Sequence, residues 1–279
     1  MKEKKLLLGV PCTSANGEMD ADILFPILRS EDRQLIGYKP TFNHNGVDVW
    51  NAYEFSFFDQ FRRTKQGVLQ IRYKATSEII IESKSLKLYL NSFDKVHKSV
   101  EEIENIIQAD LSRESKSDVA VKYYTYTEFN DKFPIVTKDH TTADTSLPII
   151  DLDTCDLSDT PYPEGDVVGF VCETLRSNCK ITKQPDAGVA NIYIRGTQLP
   201  TSNYMYKLIT QMRTENHFHE EIAERIMYRL IEDFSPDEVG IHLSYHRRGG
   251  IDINPIRYWC RADLTLDLDS LEFIRWVGQ

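Results

Sequence analysis

Cys179 lies in a polar stretch, Ser177-Asn178-Cys179-Lys180-Ile181-Thr182-Lys183-Gln184-Pro185-Asp186, that leads into an apolar run beginning at Gly188. A thiol flanked by Lys180 and Lys183 can have a lowered pKa and react as a thiolate. Asp186, seven residues on, can fold back as a proton donor. The competing reading is a surface thiol followed by a Pro-Asp turn. A second group, His217-Phe218-His219-Glu220-Glu221, opens a helical pattern. Carboxylates suit the first turn of a helix; alternating histidines can also bind metal, but no third ligand is placed. A third group, Ile81-Glu82-Ser83-Lys84-Ser85-Leu86-Lys87-Leu88-Tyr89-Leu90, joins a strand pattern to a helical one. Ser83 is expected to cap that helix, whose N-terminus with Lys84 and Lys87 would attract an anion. The alternative is a capped amphipathic helix with solvated lysines.

The elements that must position these residues occur twice. Gly67-Val68-Leu69-Gln70-Ile71 matches Gly188-Val189-Ala190-Asn191-Ile192, Glu101-Glu102-Ile103 matches Glu220-Glu221-Ile222, and Asp118-Val119-Ala120-Val121 matches Glu238-Val239-Gly240-Ile241. Three matches in one order with nearly one offset indicate duplication. Leu69, Ile71 and Tyr73 alternate with polar residues, as do Ile192 and Ile194, so strands buried on one face are predicted. Ile103, Ile107 and Leu111, and in the other half Ile222, Ile226 and Leu230, fall at helical spacing. Val119, Val121 and Tyr123, then Val239, Ile241 and Leu243, alternate again. Each half therefore reads strand, strand, helix, helix, strand, with a further strand expected. That grouping favours an α+β fold, an antiparallel sheet with helices on one face. The divisions expected are 1–136, an acidic linker 137–165 in which Leu147-Pro148-Ile149-Ile150 can form a short edge strand, and 166–279. The repeat also isolates a difference: Val100 stands where the second copy has His219.

Across 279 residues, 33 basic side chains face 43 acidic ones, a net charge of −10. Such a surface argues against a constitutive nucleic-acid backbone binder. Nowhere does an apolar run approach the ~20 residues of a membrane span. The start, Lys4-Lys5-Leu6-Leu7-Leu8-Gly9-Val10-Pro11-Cys12, has too short an apolar core for a secretion signal. Cys12, Cys155, Cys172, Cys179 and Cys260 are odd in number and form no C-x-x-C pair. They imply free thiols and a reducing cytoplasm rather than a disulfide framework. Neither Gly-x-Gly-x-x-Gly nor a Walker loop occurs.

Together the motifs resemble the NADPH-dependent 7-cyano-7-deazaguanine reductases, the nitrile reductases of queuosine biosynthesis. The resemblance rests on Glu82-Ser83-Lys84-Ser85-Leu86-Lys87-Leu88-Tyr89, on Ser177-Asn178-Cys179 through Gln184-Pro185-Asp186, on Phe218-His219-Glu220 and on Arg247-Arg248-Gly249-Gly250-Ile251-Asp252-Ile253-Asn254-Pro255. Their order is that of the long, two-halved members. The resemblance implies tandem tunnelling-fold (T-fold) modules and a homodimer. It implies Cys179 as nucleophile and Asp186 as proton donor. His219, Glu220, Ile81, Glu82 and Ser83 would bind substrate, and Ser83, Lys84, Arg248 and Gly249 would bind NADPH, two per turnover, without metal or flavin. Ala187 stands where the family usually has an aromatic residue.

Overall fold

A computed structural model of the chain describes residues 19–136, 148–160, 167–262, 273–276 and 278–279. Residues 4–12, the apolar start that includes Cys12, and part of the acidic segment 137–165 lie outside them. Two compact units emerge. Unit 1 takes the chain up to Glu31, Trp50–Lys132 and Arg248–Ile251; unit 2 takes Asp32–Val49, Phe133–Arg247 and Asp252–Gln279.

In unit 1, β1 (Pro26–Leu28) pairs antiparallel with the short strand that precedes the helix of the Glu82 motif, Ile27 opposite Ile80. After α1 (Arg29–Leu35) come β2 (Asn45–Phe58), whose residues from Trp50 on belong to this unit, β3 (Thr64–Lys74) and β4 (Ile79–Ile81). Helices α2 (Ser83–Asn91) and α3 (Val100–Ser115) follow, then β5 (Val119–Tyr124) and α4 (Tyr126–Lys132). β3 lies between β2 and β5. Val119, Val121 and Tyr123 are buried while Ala120 and Lys122 are exposed, the alternation of a strand covered on one side. α3 lies against β5 and buries Ile103, Ile107 and Leu111 completely.

In unit 2, β6 (Ile135–Val136) pairs with a short C-terminal strand. β7 (Ile149–Asp151), the edge strand expected there, runs parallel to the first residues of β8 (Val167–Cys179). β8 is antiparallel to β9 (Pro185–Arg195). Next come α5 (Ser202–Gln211), β10 (Asn216–His217), parallel to the end of β8, and α6 (His219–Phe234). β11 (Glu238–Tyr245) pairs antiparallel with β9 and with β12 (Ile251–Cys260), and β13 (Arg275–Trp276) is the partner of β6. Met205, Leu208 and Ile209 of α5 and Ile222, Ile226 and Leu230 of α6 cover one face of this sheet. The predicted α+β class, antiparallel strands with helices packed on them, is what is found. Among the described residues, no helix is long and apolar enough to cross a membrane.

Duplication extends to the hydrogen-bond register. Ile71 faces Val121 and Leu69 faces Tyr123 in the first half; Ile192 faces Ile241 and Ala190 faces Leu243 in the second. Helices α3 and α6 both have 16 residues, and both end on a left-handed residue, Lys116 and Ser235. Their N-termini differ: Ser99 and Glu102 form a capping box on α3, whereas on α6 only the back-bond remains, Phe218 N–H donating to Glu221.

α6 is anchored by buried charge. Glu224 accepts from Arg33 Nε at 2.8 Å and from Arg257 Nε at 3.0 Å, with His44 3.2 Å away; Arg257 also donates to Asp48 at 2.6 Å. Burial opposes the Glu224 charge, but its contacts with His44, Arg257 and Arg33 outweigh it and hold the carboxyl well below the usual carboxylate range. Removing one partner of such a network strands the others, at a cost of about 3–5 kcal/mol. Glu224→Leu should lower unfolding stability by that much in urea denaturation followed by tryptophan fluorescence. A loss below about 1 kcal/mol, within the range of ordinary surface changes, would contradict this role.

Candidate active site

An irregularity in β8 decides where Cys179 points. Cys172 is paired with Ala190 but Leu175 with Gly188, so one extra residue is accommodated around Glu173 and Thr174. Before this bulge Val168, Phe170 and Cys172 face the helices; after it Leu175 does, with Ser177 also buried. Cys179 shares the parity of Leu175 and Ser177; an unbulged strand would turn it to the opposite face. Asp153 holds the bulge, accepting from Glu173 N–H and Thr174 Oγ1, each at 2.7 Å.

The neighbouring strands bring their own groups to the same end. Asp186 is directly across from Ser177, and Tyr245 ends the buried series on β11 opposite Gly188. A Cβ on Gly188 would stand 2.6 Å from the Ser244 carbonyl oxygen, so only glycine permits this approach. The His219 ring, in the first turn of α6, stacks on Tyr245 with centroids 3.6 Å apart. Its Nε2 lies 3.4 Å from Asp186 Oδ2, and its buried Nδ1 has no hydrogen-bond partner among the described residues. Ser177 Oγ and Tyr245 OH are 3.1 Å apart. Burial, with the charges of Asp186 and Glu220, pushes the Tyr245 phenol far above its usual range. Glu220 is itself buried, at 3% exposure. The two histidines serve different partners: His217 Nδ1 is 2.7 Å from Glu221.

Cys179 closes a hairpin loop: its N–H donates to the Gln184 carbonyl and its own carbonyl accepts from Lys183 N–H. Burial raises the thiol's pKa, but hydrogen bonds from the Thr182 hydroxyl and the Thr182 and Ile181 amides outweigh it, so the net direction is down. Burial drives Cys155 and Cys172 upward. The expected lysine effect is therefore corrected. Lys180 reaches Asp32 and, at 3.1 Å, Glu221, while Lys183 donates to the Lys180 carbonyl. Thr182 had no sequence signal beyond its place in the loop, and Asp32, 148 residues from Lys180, had none. Burial raises the Asp32 carboxyl to about 6 despite Lys180.

The Glu82 motif lies in unit 1, at the join of β4 and α2. The cap expected of Ser83 is provided by Glu82, which is extended and accepts from Lys84 N–H at 2.9 Å and Ser85 N–H at 2.8 Å. The helix amides expected to attract an anion are thus already engaged. Ser83 and Lys84 are half-buried, and the Lys84 ammonium has no ion pair among the described residues. Lys87 donates to the Arg248 carbonyl at 2.8 Å, seating the turn Arg248–Ile251 on α2. That turn needs Gly249 and Gly250, whose φ values are +59° and +79°, the pattern of a tight two-residue hairpin. Sequence motifs 164 residues apart, at Lys84 and Arg248, thereby share one unit. Lys84, with no ion pair among the described residues, and the neighbouring Ser83 hydroxyl are the kind of donors a phosphate-bearing cofactor would take.

Thr182→Val should raise the Cys179 pKa, because one hydrogen bond to the thiolate is lost. A bond worth about 1 kcal/mol corresponds to roughly a fivefold smaller thiolate fraction below the pKa. Iodoacetamide alkylation of Cys179, followed by peptide mass spectrometry, should slow about fivefold near neutral pH and recover at alkaline pH, where both thiols are ionised. An unshifted pH profile would show that the hydroxyl does not stabilise the thiolate.

Residues 16–123 match the family model described as nitrile reductase, 7-cyano-7-deazaguanine-reductase N-term, and residues 189–263 match that of QueF-like protein. An NADPH-dependent 7-cyano-7-deazaguanine reductase of Hahella chejuensis is 34% identical over 259 residues, covering 91% of this chain and 93% of the relative. The protein of the same name from Rickettsia felis is 36% identical over 267 residues, covering 92% and 93%. That from Psychrobacter cryohalolentis is 32% identical over 264 residues, covering 90% and 93%. Among solved structures, the apo form of the archaeosine synthase QueF-Like covers 34% of this chain and 94% of its own, with TM-score 0.32 and 16% identity, too distant to fix the fold. Matched at this level over nine-tenths of its length, and with both family models in order, the chain belongs to the NADPH-dependent 7-cyano-7-deazaguanine reductases, a family of oxidoreductases.

Proposed function

We propose that the protein reduces the nitrile of 7-cyano-7-deazaguanine to the primary amine of 7-aminomethyl-7-deazaguanine, in queuosine biosynthesis, through a covalent thioimide on Cys179. The observation that carries this reading is the lowered Cys179 thiol, with the Asp186–His219 pair at the same end of one sheet face. The thiolate adds to the nitrile carbon while Asp186 delivers a proton to the nitrogen, giving C(=NH)–S; such acid assistance is worth roughly 10²–10⁴ in rate. NADPH supplies the hydrides, two per nitrile, since the conversion takes four electrons. Cys179 is released as thiolate when the C–S bond breaks after the first reduction. Glu220 accepts hydrogen bonds from ring N–H groups, and His219 offers to the same ligand its Nδ1, which has no partner among the described residues. Ile81, Glu82 and Ser83 also bind the substrate, Glu82 ordering the start of α2. Ser83, Lys84, Arg248 and Gly249 hold NADPH, and no metal or flavin takes part.

The wider reading is that 1–136 and 166–279 are tandem T-fold modules joined by the acidic segment 137–165. The protein works as a cytoplasmic homodimer, where a reducing environment keeps the thiol free. It does not bind nucleic acid directly. The repeated register of the two halves supports the duplication in this picture.

Purified protein should oxidise two NADPH per nitrile consumed. Asp186→Asn should lower kcat by about 10²-fold or more, since it keeps the shape but has no proton to transfer. Lys84→Ala should raise the NADPH KM several-fold and leave nitrile binding unchanged. A 1:1 stoichiometry, or nitrile-independent NADPH oxidation, would contradict the reaction; an unchanged NADPH KM would contradict the cofactor assignment.

A further inference from the structure

Lys180 follows the nucleophile directly, yet its ammonium turns away from the thiol. It contacts Asp32, lies 3.1 Å from Glu221 Oε1 and sits 5.1 Å above the centre of the Phe218 ring. Phe218 and Glu221 bracket His219 and Glu220, so the two residues that flank the binding pair both hold the lysine. The side chains of Lys180, Asp32 and Glu221 are only 21%, 11% and 6% exposed, which makes this a buried cluster rather than a surface pair. Glu221 is steadied from its other side by His217 Nδ1 at 2.7 Å and returns a back-bond to Phe218 N–H at 3.3 Å. β10 adds a backbone link, with His217 in register with Cys179.

We propose that Lys180 is a positioning residue that latches the nucleophile loop to the N-terminus of α6, setting the distance between the Cys179 thiol and the pair that orients the substrate, His219 and Glu220. The inference rests on the reaction proposed above. The thiol's own activation does not involve the latch, because its hydrogen bonds come from Ile181 and Thr182. A reagent that needs only the thiolate should therefore ignore the latch, and one that needs thiolate and binding pair together should not.

The test compares two rates on the full chain. One is adduct formation with 7-cyano-7-deazaguanine, and the other is alkylation of Cys179 by iodoacetamide. Lys180→Met should slow the nitrile reaction at least tenfold, leave alkylation within twofold of the unsubstituted protein, and be rescued in large part by Lys180→Arg. Asp32→Asn, which keeps the lysine and loosens one arm, should slow the nitrile reaction about threefold and serves if Lys180→Met fails to fold. A nitrile rate within twofold in the folded Met variant, or in Asp32→Asn where Met does not fold, overturns the latch alone. So does a parallel fall of both rates, which would make Lys180 merely a support of the thiol. No adduct in the unsubstituted protein overturns the reaction and the latch together.

Discussion

Strand parity is the constraint on which the site depends. A strand places alternate residues on opposite faces, so a single extra residue exchanges the two sets beyond it. In β8 that residue lies between Cys172 and Leu175, five or six positions before the thiol, and the Asp153 carboxylate keeps it in place with bonds of 2.7 Å from Glu173 N–H and Thr174 Oγ1. Leu175 then continues the apolar face begun by Val168 and Phe170, and Ser177 and Cys179 follow it towards Asp186 and Tyr245. The bulge thus links packing to chemistry: the core selects the register, and the register selects which polar groups meet at the sheet end.

Three polar arrangements then refine that end of unit 2. Glu224, enclosed by Arg33, His44 and Arg257, fixes α6 by its middle. Stacking on Tyr245 fixes the orientation of His219 at the start of the same helix. Donors from Ile181 and Thr182 converge on the Cys179 sulfur and favour its anion, so burial does not silence the nucleophile. Neutral phenol, lowered thiol and buried carboxylate sit within one face because each has a different set of neighbours, the condition under which acid and nucleophile roles separate.

Features governed by local periodicity were legible in the sequence. Ile103, Ile107 and Leu111 announced α3, and the offset matches located the second copy of helix and strand register. The acid and thiol of the nucleophile loop are also legible as types. What was hidden depends on contacts far apart in the chain. Adjacency in sequence makes Lys180 a neighbour of the thiol, but Asp32 and Glu221 draw its ammonium elsewhere. Residue type favours Ser83 as a cap, whereas the extended backbone at Glu82 gives that role to a carboxylate long enough to reach two amides. The bulge had no composition signal, since Glu173 and Thr174 look like ordinary exposed strand residues.

The central claim, that Cys179 is a nucleophile toward a nitrile, is tested most directly by intact-mass spectrometry of the protein mixed with 7-cyano-7-deazaguanine in the absence of NADPH. The account predicts a gain equal to the mass of the nitrile, mapped by peptide analysis to Cys179 and abolished in Cys179→Ala. An adduct that persists in Cys179→Ala, that maps to Cys172 or Cys155, or that never forms while the folded protein binds the nitrile would contradict it.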